Sequence, residues 1–266
     1  MNDVITFFDR PNTVMIPFSS GSDVNDVCEF VETLKVVVEM KKVALVYKKA
    51  SDKSSTTAVS SDTLDIWWIF HDGGLLLLLP FLLKKNKAWR RKKLRILTIA
   101  RVYDNSILLE QELRLLVNEK LRIEAEIVVV EWWCNDNAGG GGGDGLGFRD
   151  EEHQHEFALK DFEQTMTRSE GENLLLRNIK ICSSPHGKVT SSHEEKRESY
   201  KHLNHLMKRH SSLASFIFMN LPKLPKSSSS SKEYQNYVEC IETLTQGLPA
   251  TLLIKGTGKE VISSYF

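Results

Sequence analysis

Apolar residues along this chain form two kinds of run: short compact blocks, and stripes that recur every three or four positions. The blocks predict strands at Thr13 to Pro17, Val43 to Tyr47, Asp65 to Phe70, Leu94 to Ile99, Glu126 to Glu131, Ser215 to Asn220 and Thr251 to Lys255. The stripes predict helices between them. One carries Val24, Val27, Cys28, Val31, Leu34 and Val38, with Ser22 as its N-cap. A second carries Leu109, Leu113, Leu116 and Val117 behind a cap at Asn105 or Ser106. A third, with Tyr200, Leu203, Leu206 and Met207, opens on a capping box from Ser192 to Glu195. The last carries Tyr234, Tyr237, Val238, Ile241 and Leu244. Near-continuous apolar strands alternating with helices are what a parallel sheet covered on both sides requires.

The most apolar stretch, LDIWWIFHDGGLLLLLPFLLKK at residues 64–85, could be mistaken for a membrane span. A spanning helix needs about 20 mostly apolar residues, each rising about 1.5 Å against a hydrocarbon core about 30 Å thick. The uninterrupted run from Leu75 is roughly half that. Extending it backwards brings in Asp65, His71, Asp72 and a Gly73-Gly74 breaker. It therefore reads as a strand, a turn at His71 to Gly74, and a buried helix from Leu75. A polar loop, SDKSSTTAVSSD, precedes it from Ser51.

The pattern breaks after Asn135, where NDNAGGGGGDGLGFRDEEHQHE is glycine-rich and then acidic, and residues 160–190 keep only weak periodicity. The fold class is α/β: a mostly parallel sheet with helices on both faces, interrupted by a disordered insert.

Composition narrows the function classes. The 266 residues hold 35 basic and 35 acidic side chains, and this balance argues against bulk electrostatic binding to nucleic acid. Cys28, Cys134, Cys182 and Cys240 are scattered without a C-x-x-C pair, which points to reduced thiols rather than a zinc site or a disulfide framework. The first residues show no basic segment followed by an apolar one, so no secretory signal is read there.

Ligands of α/β sheets bind beyond the carboxyl ends of the strands, which directs attention to His71, Asp72, Gly73 and Gly74, to Asn220 and Leu221, and to Gly256 to Lys259. The HDGG turn precedes a helix whose first amides could hold an anion, although a tight structural turn is the plainer reading. No G-x-G-x-x-G fingerprint or Walker lysine accompanies it. GTGKE at Gly256 to Glu260 reads as a hairpin turn. His153 and His155 form an H-x-H pair in the mobile tract, and His202 and His205 face solvent beside their helix's stripe; neither pair is read as a metal site. The basic run KKNKAWRRKK, Lys84 to Lys93, could attract acidic lipid or a phosphorylated partner, or could be the solvated end of a helix. No catalytic constellation can be argued, so no enzyme is expected.

Several ordered stretches resemble the C-terminal cytosolic domain of the cation-chloride cotransporters. They are DIWWIFHDGGLLLLLPFLL with the following W-R-x-K-x-L-R-I, Asp104-Asn105-Ser106, LRIEAE at Leu121 to Glu126, Leu203-Asn204, MNLP at Met219 to Pro222, YVECIETLTQGL at Tyr237 to Leu248, and the terminal GTGKEVISSYF. The HDGG, DNS and LRIEAE forms are closer to the potassium-chloride branch. The resemblance implies a regulatory cytosolic domain of an electroneutral potassium-chloride symporter, lying at the cytosolic face of the plasma membrane. It implies a transmembrane domain of the same transporter as partner, potassium and chloride as transported ions, a homodimer, and regulatory kinases of the with-no-lysine pathway. It requires no cofactor, although ATP or ADP as a regulatory ligand is implied by members that bind a nucleotide.

Carried over by motif, one phosphoacceptor falls on Ser199, four positions before Leu203-Asn204, where the family's usual residue is threonine. The other falls on Thr165 in Phe162-Glu163-Gln164-Thr165, an alignment that crosses the insert. Matching starts near Asn12, which implies that 1–22 is the truncated start of a first α/β unit whose strand keeps an open edge. The chain then divides into 23–134 and 192–266, two parts of one α/β domain, around a flexible Gly-rich and acidic insert at 135–191. The alternative reading is a stand-alone nucleotide-binding α/β module of the stress-protein type.

Overall fold

The computed structural model describes residues 11–19, 23–50, 62–69, 74–101, 106–132, 192–226 and 229–257. Seven strands form one sheet: β1 (Thr13–Pro17), β2 (Val43–Lys48), β3 (Thr63–Trp67), β4 (Lys93–Arg101), β5 (Glu126–Trp132), β6 (Phe216–Asn220) and β7 (Thr251–Lys255). Their spatial order is β1-β2-β7-β6-β3-β4-β5. Every neighbouring pair is parallel except β2 with β7. The sheet thus consists of a five-stranded parallel block and an antiparallel two-stranded wing. The terminal strand β7 enters the interior of the sheet between β2 and β6; its carbonyls also take the Leu221 amide, at 2.8 Å from Ile254.

Alternation along the strands separates two cores. Trp67, Leu97, Ile217, Met219 and Leu253 face one side, where α1 (Val24–Glu39), α4 (Ser192–Ser211) and α5 (Ser231–Thr245) supply Leu34, Met207 and Ile241. Leu64, Ile66, Trp68, Ile96, Phe218 and Ile254 face the other, with Leu76 and Leu77 of α2 (Leu75–Leu83) and Leu113 and Val117 of the next helix. Adjacent tryptophans therefore serve opposite cores, as the strand period of two demands. That next helix is α3 (Ser106–Arg114), continued by a π-helical turn over Leu115–Lys120.

Local details depart from the sequence reading. The α1 cap is Asp23, whose Oδ1 accepts from the Asn25 amide at 3.0 Å; Ser22 lies outside the described residues. The strand placed at Asp65 to Phe70 runs from Thr63 to Trp67, because its amides and carbonyls pair with β4 and β6 from Thr63 onward. Helices α3 and α4 are described from Ser106 and Ser192 onward; Asn105 and the side chains of the Ser192 to Glu195 box lie outside the described residues. The unforeseen capping box is Ser230 with Glu233, at the start of α5. Among the described residues β1 lies at one edge of the sheet, with Met15 61% exposed.

Among the described residues no helix is long and apolar enough to cross a membrane. The leucine-rich segment is the nine-residue α2, and Pro80 inside it removes one backbone donor. The insert at 135–191 and the loop at 51–61 lie outside the described residues.

Candidate functional site

The parallel strands β3 and β6 are neighbours, yet the chain leaves them in opposite directions. After β3 it enters α2 on one face; after β6 it enters α5 on the other. Such a switch in connection marks a candidate crevice beyond the carboxyl ends of the two strands, where α/β sheets take their ligands. Parts of two segments singled out from sequence follow these strands: Gly74 after β3, and Asn220 with Leu221 at the end of β6.

Gly74 is the N-cap of α2 and makes no side-chain cap bond, so its carbonyl starts the helix at the Leu77 and Leu78 amides. His71, Asp72 and Gly73 lie outside the described residues. Asn220 ends β6, is 5% exposed, and by alternation shares the α2 face with Phe218. Its Oδ1 is buried without a hydrogen-bond partner among the described residues, and a buried orphan acceptor costs about 1–3 kcal/mol unless something donates to it. Leu221 turns to the opposite core.

The 221–226 segment leaving β6 is anchored by side chains of α1 and α5. Lys35 of α1 is buried; its Nζ donates to the Lys226 carbonyl at 2.7 Å and the Tyr234 hydroxyl at 2.8 Å, and lies 4.2 Å from that ring's centre. Tyr237 Oη donates to the Pro222 carbonyl at 3.0 Å. These contacts tie the 221–226 loop to α1 and α5. Sequence reading missed the Lys35 anchor, because a lysine inside an apolar stripe carries no signal of its distant acceptors.

Ser199, the motif-derived phosphoacceptor, lies two turns into α4 and is only 4% exposed. It heads the buried stripe that continues through Leu203, Leu206, Met207 and Ser211. The same helix is fastened at three points. Asn204 Nδ2 donates to the carbonyls of Leu244 (2.7 Å) and Gln246 (3.0 Å), locking α4 onto the end of α5. Trp67 Nε1 donates to Ser211 Oγ at 3.0 Å. Asp65, fully buried on β3, holds Arg95 of β4 in a bidentate pair, and Arg95 also donates to the His210 carbonyl at 3.0 Å. Burial, with Arg209 and Arg95 close by, holds His210 below the ordinary histidine range. His202 and His205 are exposed, as expected from the helix pattern. Thr165 lies outside the described residues, as do His153 and His155.

Among the described residues there is no group of three or more potential metal ligands, and Cys28 and Cys240 form no disulfide. Of the residues singled out from sequence, Gly74 starts the helix that follows β3 and Asn220 ends β6, whereas Ser199 sits within the α4 packing layer.

Comparison with known proteins adds two findings. The family model for solute carrier family 12 matches residues 35–266. The fold is similar to the crystal structure of the cytoplasmic domain of a prokaryotic cation chloride cotransporter, with a TM-score of 0.50 at 14% identity, covering 96% of this chain and 67% of that one.

Proposed function

Because the chain belongs to solute carrier family 12, we propose that it is the regulatory cytosolic domain of an electroneutral potassium-chloride cotransporter, controlled by phosphorylation and dimerisation. The observation that carries this reading is the family match across 35–266, which takes in the end of α1 and the described elements from β2 to β7. Family membership favours it over a stand-alone nucleotide-binding module. The branch assignment rests on the HDGG, DNS and LRIEAE forms. Ion passage belongs to the transmembrane domain of the same transporter, with potassium and chloride as its ions.

The position of Ser199 supports a specific mode of control. A kinase takes its substrate in extended form, and a serine 4% exposed within a helix is presented only when the first turns of α4 open. Once added, a phosphate of about −1.5 to −2 charge cannot return to an apolar stripe without compensating donors. The modified helix start therefore stays displaced. The fastenings at Asn204, Ser211 and His210 keep the remainder of α4 on the sheet, so the change is confined to the segment joining the insert to the domain. Thr165 is the second proposed acceptor, and the regulatory kinases act on both.

A regulatory nucleotide, ATP or ADP, is assigned to the crevice between β3 and β6. Support comes from the connection switch, the α2 amino end at Gly74 and the Asn220 acceptor, which has no partner among the described residues. The test of the proposal is ion flux through the full-length transporter carrying Ser199→Ala or Ser199→Asp, normalised to surface abundance. Alanine is expected to raise chloride-dependent potassium flux and aspartate to lower it; equal flux for both contradicts regulation through this residue.

A further inference from the structure

The basic run between α2 and β4 is at the end of the sheet opposite the β3–β6 crevice, and the regulatory reading does not use it. Lys84, Lys85, Lys87, Arg90, Arg91, Lys92 and Lys93 fall within ten residues that hold no acid, in a chain of zero net charge. Lys85, Lys87, Arg90, Arg91 and Lys93 are exposed.

The run is an ordered turn. Asn86 Oδ1 accepts from the Ala88 amide at 3.0 Å, and the Asn86 carbonyl accepts from the amides of Trp89 and Arg90. Trp89 is half-buried, with its ring edge-on to Phe216 at 5.8 Å. Lys92 is drawn inward, with Nζ donating to Ser215 Oγ at 2.7 Å and 3.7 Å from Asp62, so the exposed cations are left pointing at solvent around a fixed pivot.

Beside the turn, the end of α2 presents apolar surface. Leu82 is 45% exposed, and Phe81, half-buried, has Lys85 Nζ 5.5 Å from its ring centre. A cleft of about 310 Å³ runs from here to the start of β5, walled by Phe81, Lys84, Lys85, Leu94, Arg122, Ile123 and Glu124. Arg122 holds φ at 52°, a conformation non-glycine residues seldom adopt. That backbone places a third cation on the cleft's rim; Glu124 is the single acid on it.

We propose that the outer end of α2, the 84–93 turn and this cleft form a docking surface for a membrane leaflet rich in anionic lipid. Exposed leucine next to clustered cations suits a surface that is apolar inside and negatively charged outside. Lys84, Lys85 and Arg122 would take headgroup phosphates, Leu82 would enter the acyl boundary, and Trp89 sits where aromatic rings favour the interface. A phosphopeptide would satisfy the cations but leave Leu82 in water.

The test is flotation of the 266-residue chain with phosphatidylcholine vesicles, with and without about 30% phosphatidylserine. Binding is expected to the anionic vesicles alone, to fall as salt rises, and to weaken at least about tenfold in the variant K85Q/K87Q/R90Q/R91Q. These four side chains are exposed, so its thermal melt should match the parent; the salt series on the parent chain gives the same answer without any variant. The proposal is overturned by absent or salt-insensitive binding, by equal binding to neutral vesicles, by undiminished binding of the folded variant, or by capture of an acidic phosphopeptide without vesicle binding.

Discussion

Asp65 shows how far single residues could be read. In the sequence it marks the apolar stretch as something other than a membrane span, but its partner lies 30 positions away and nothing local announces it. In the fold the carboxylate is fully buried and its charge is matched by Arg95. Removing one side of a buried pair leaves the other uncompensated, so Arg95→Met should destabilise by about 3–5 kcal/mol in urea unfolding. The double variant Asp65→Leu/Arg95→Met should recover much of that loss, because no lone charge remains. His210, which reports on the same corner, is held below its ordinary range by burial and two arginines. The unfolded chain therefore binds the extra proton first, and stability should fall as pH drops through about 6.5 toward the lower folded value. His210→Gln should flatten that slope between about pH 7 and 5, as followed by thermal melts. The motif-derived Ser199 was legible as a position, whereas its burial was not, because the α4 stripe in sequence lists only apolar residues and a serine heading it reads as polar surface.

Helices and strands were legible wherever one face is apolar. The stripes of α4 and α5 are buried where the spacing places them, apart from a half-buried Tyr200, whereas in α1 Val27, Val31 and Leu34 are buried but Val24 is exposed and Cys28 and Val38 only half-buried; Leu34, Met207 and Ile241 are fully enclosed. Their ends were less legible, because capping depends on which polar side chain reaches a backbone amide. Asp23 rather than Ser22 does so for α1, and Ser230 with Glu233 for α5. Replacing Ser230 by alanine should remove about 1 kcal/mol, seen as a lower urea midpoint at unchanged slope. The π-helical turn at Leu115–Lys120 was invisible in the stripe, since Leu116 and Val117 fit the ordinary helical period as well. Its consequence is local: the chain leaves the helix at Leu121, one residue before the φ-positive Arg122, and β5 follows from Glu126.

At the scale of the molecule, sequence order suggested a mostly parallel sheet, and the structure agrees for five of its seven strands in one block. The antiparallel seam between β2 and β7 was not readable, because strand direction across a 200-residue separation leaves no local trace in either strand. It was also not readable that β7 lies inside the sheet, although its unbroken apolar TLLIK is what an interior strand requires. The candidate crevice emerges only here, since it depends on β3 and β6 being neighbours with helices on opposite faces. The account's central claim is that this α/β body serves a potassium-chloride cotransporter. Its most direct test is chloride-dependent rubidium uptake, with rubidium standing in for potassium, in sodium-free medium by the full-length transporter that carries it. Uptake that persists without sodium and rises in Ser199→Ala is the predicted result; uptake that requires sodium, or that is identical in the two proteins, would contradict it.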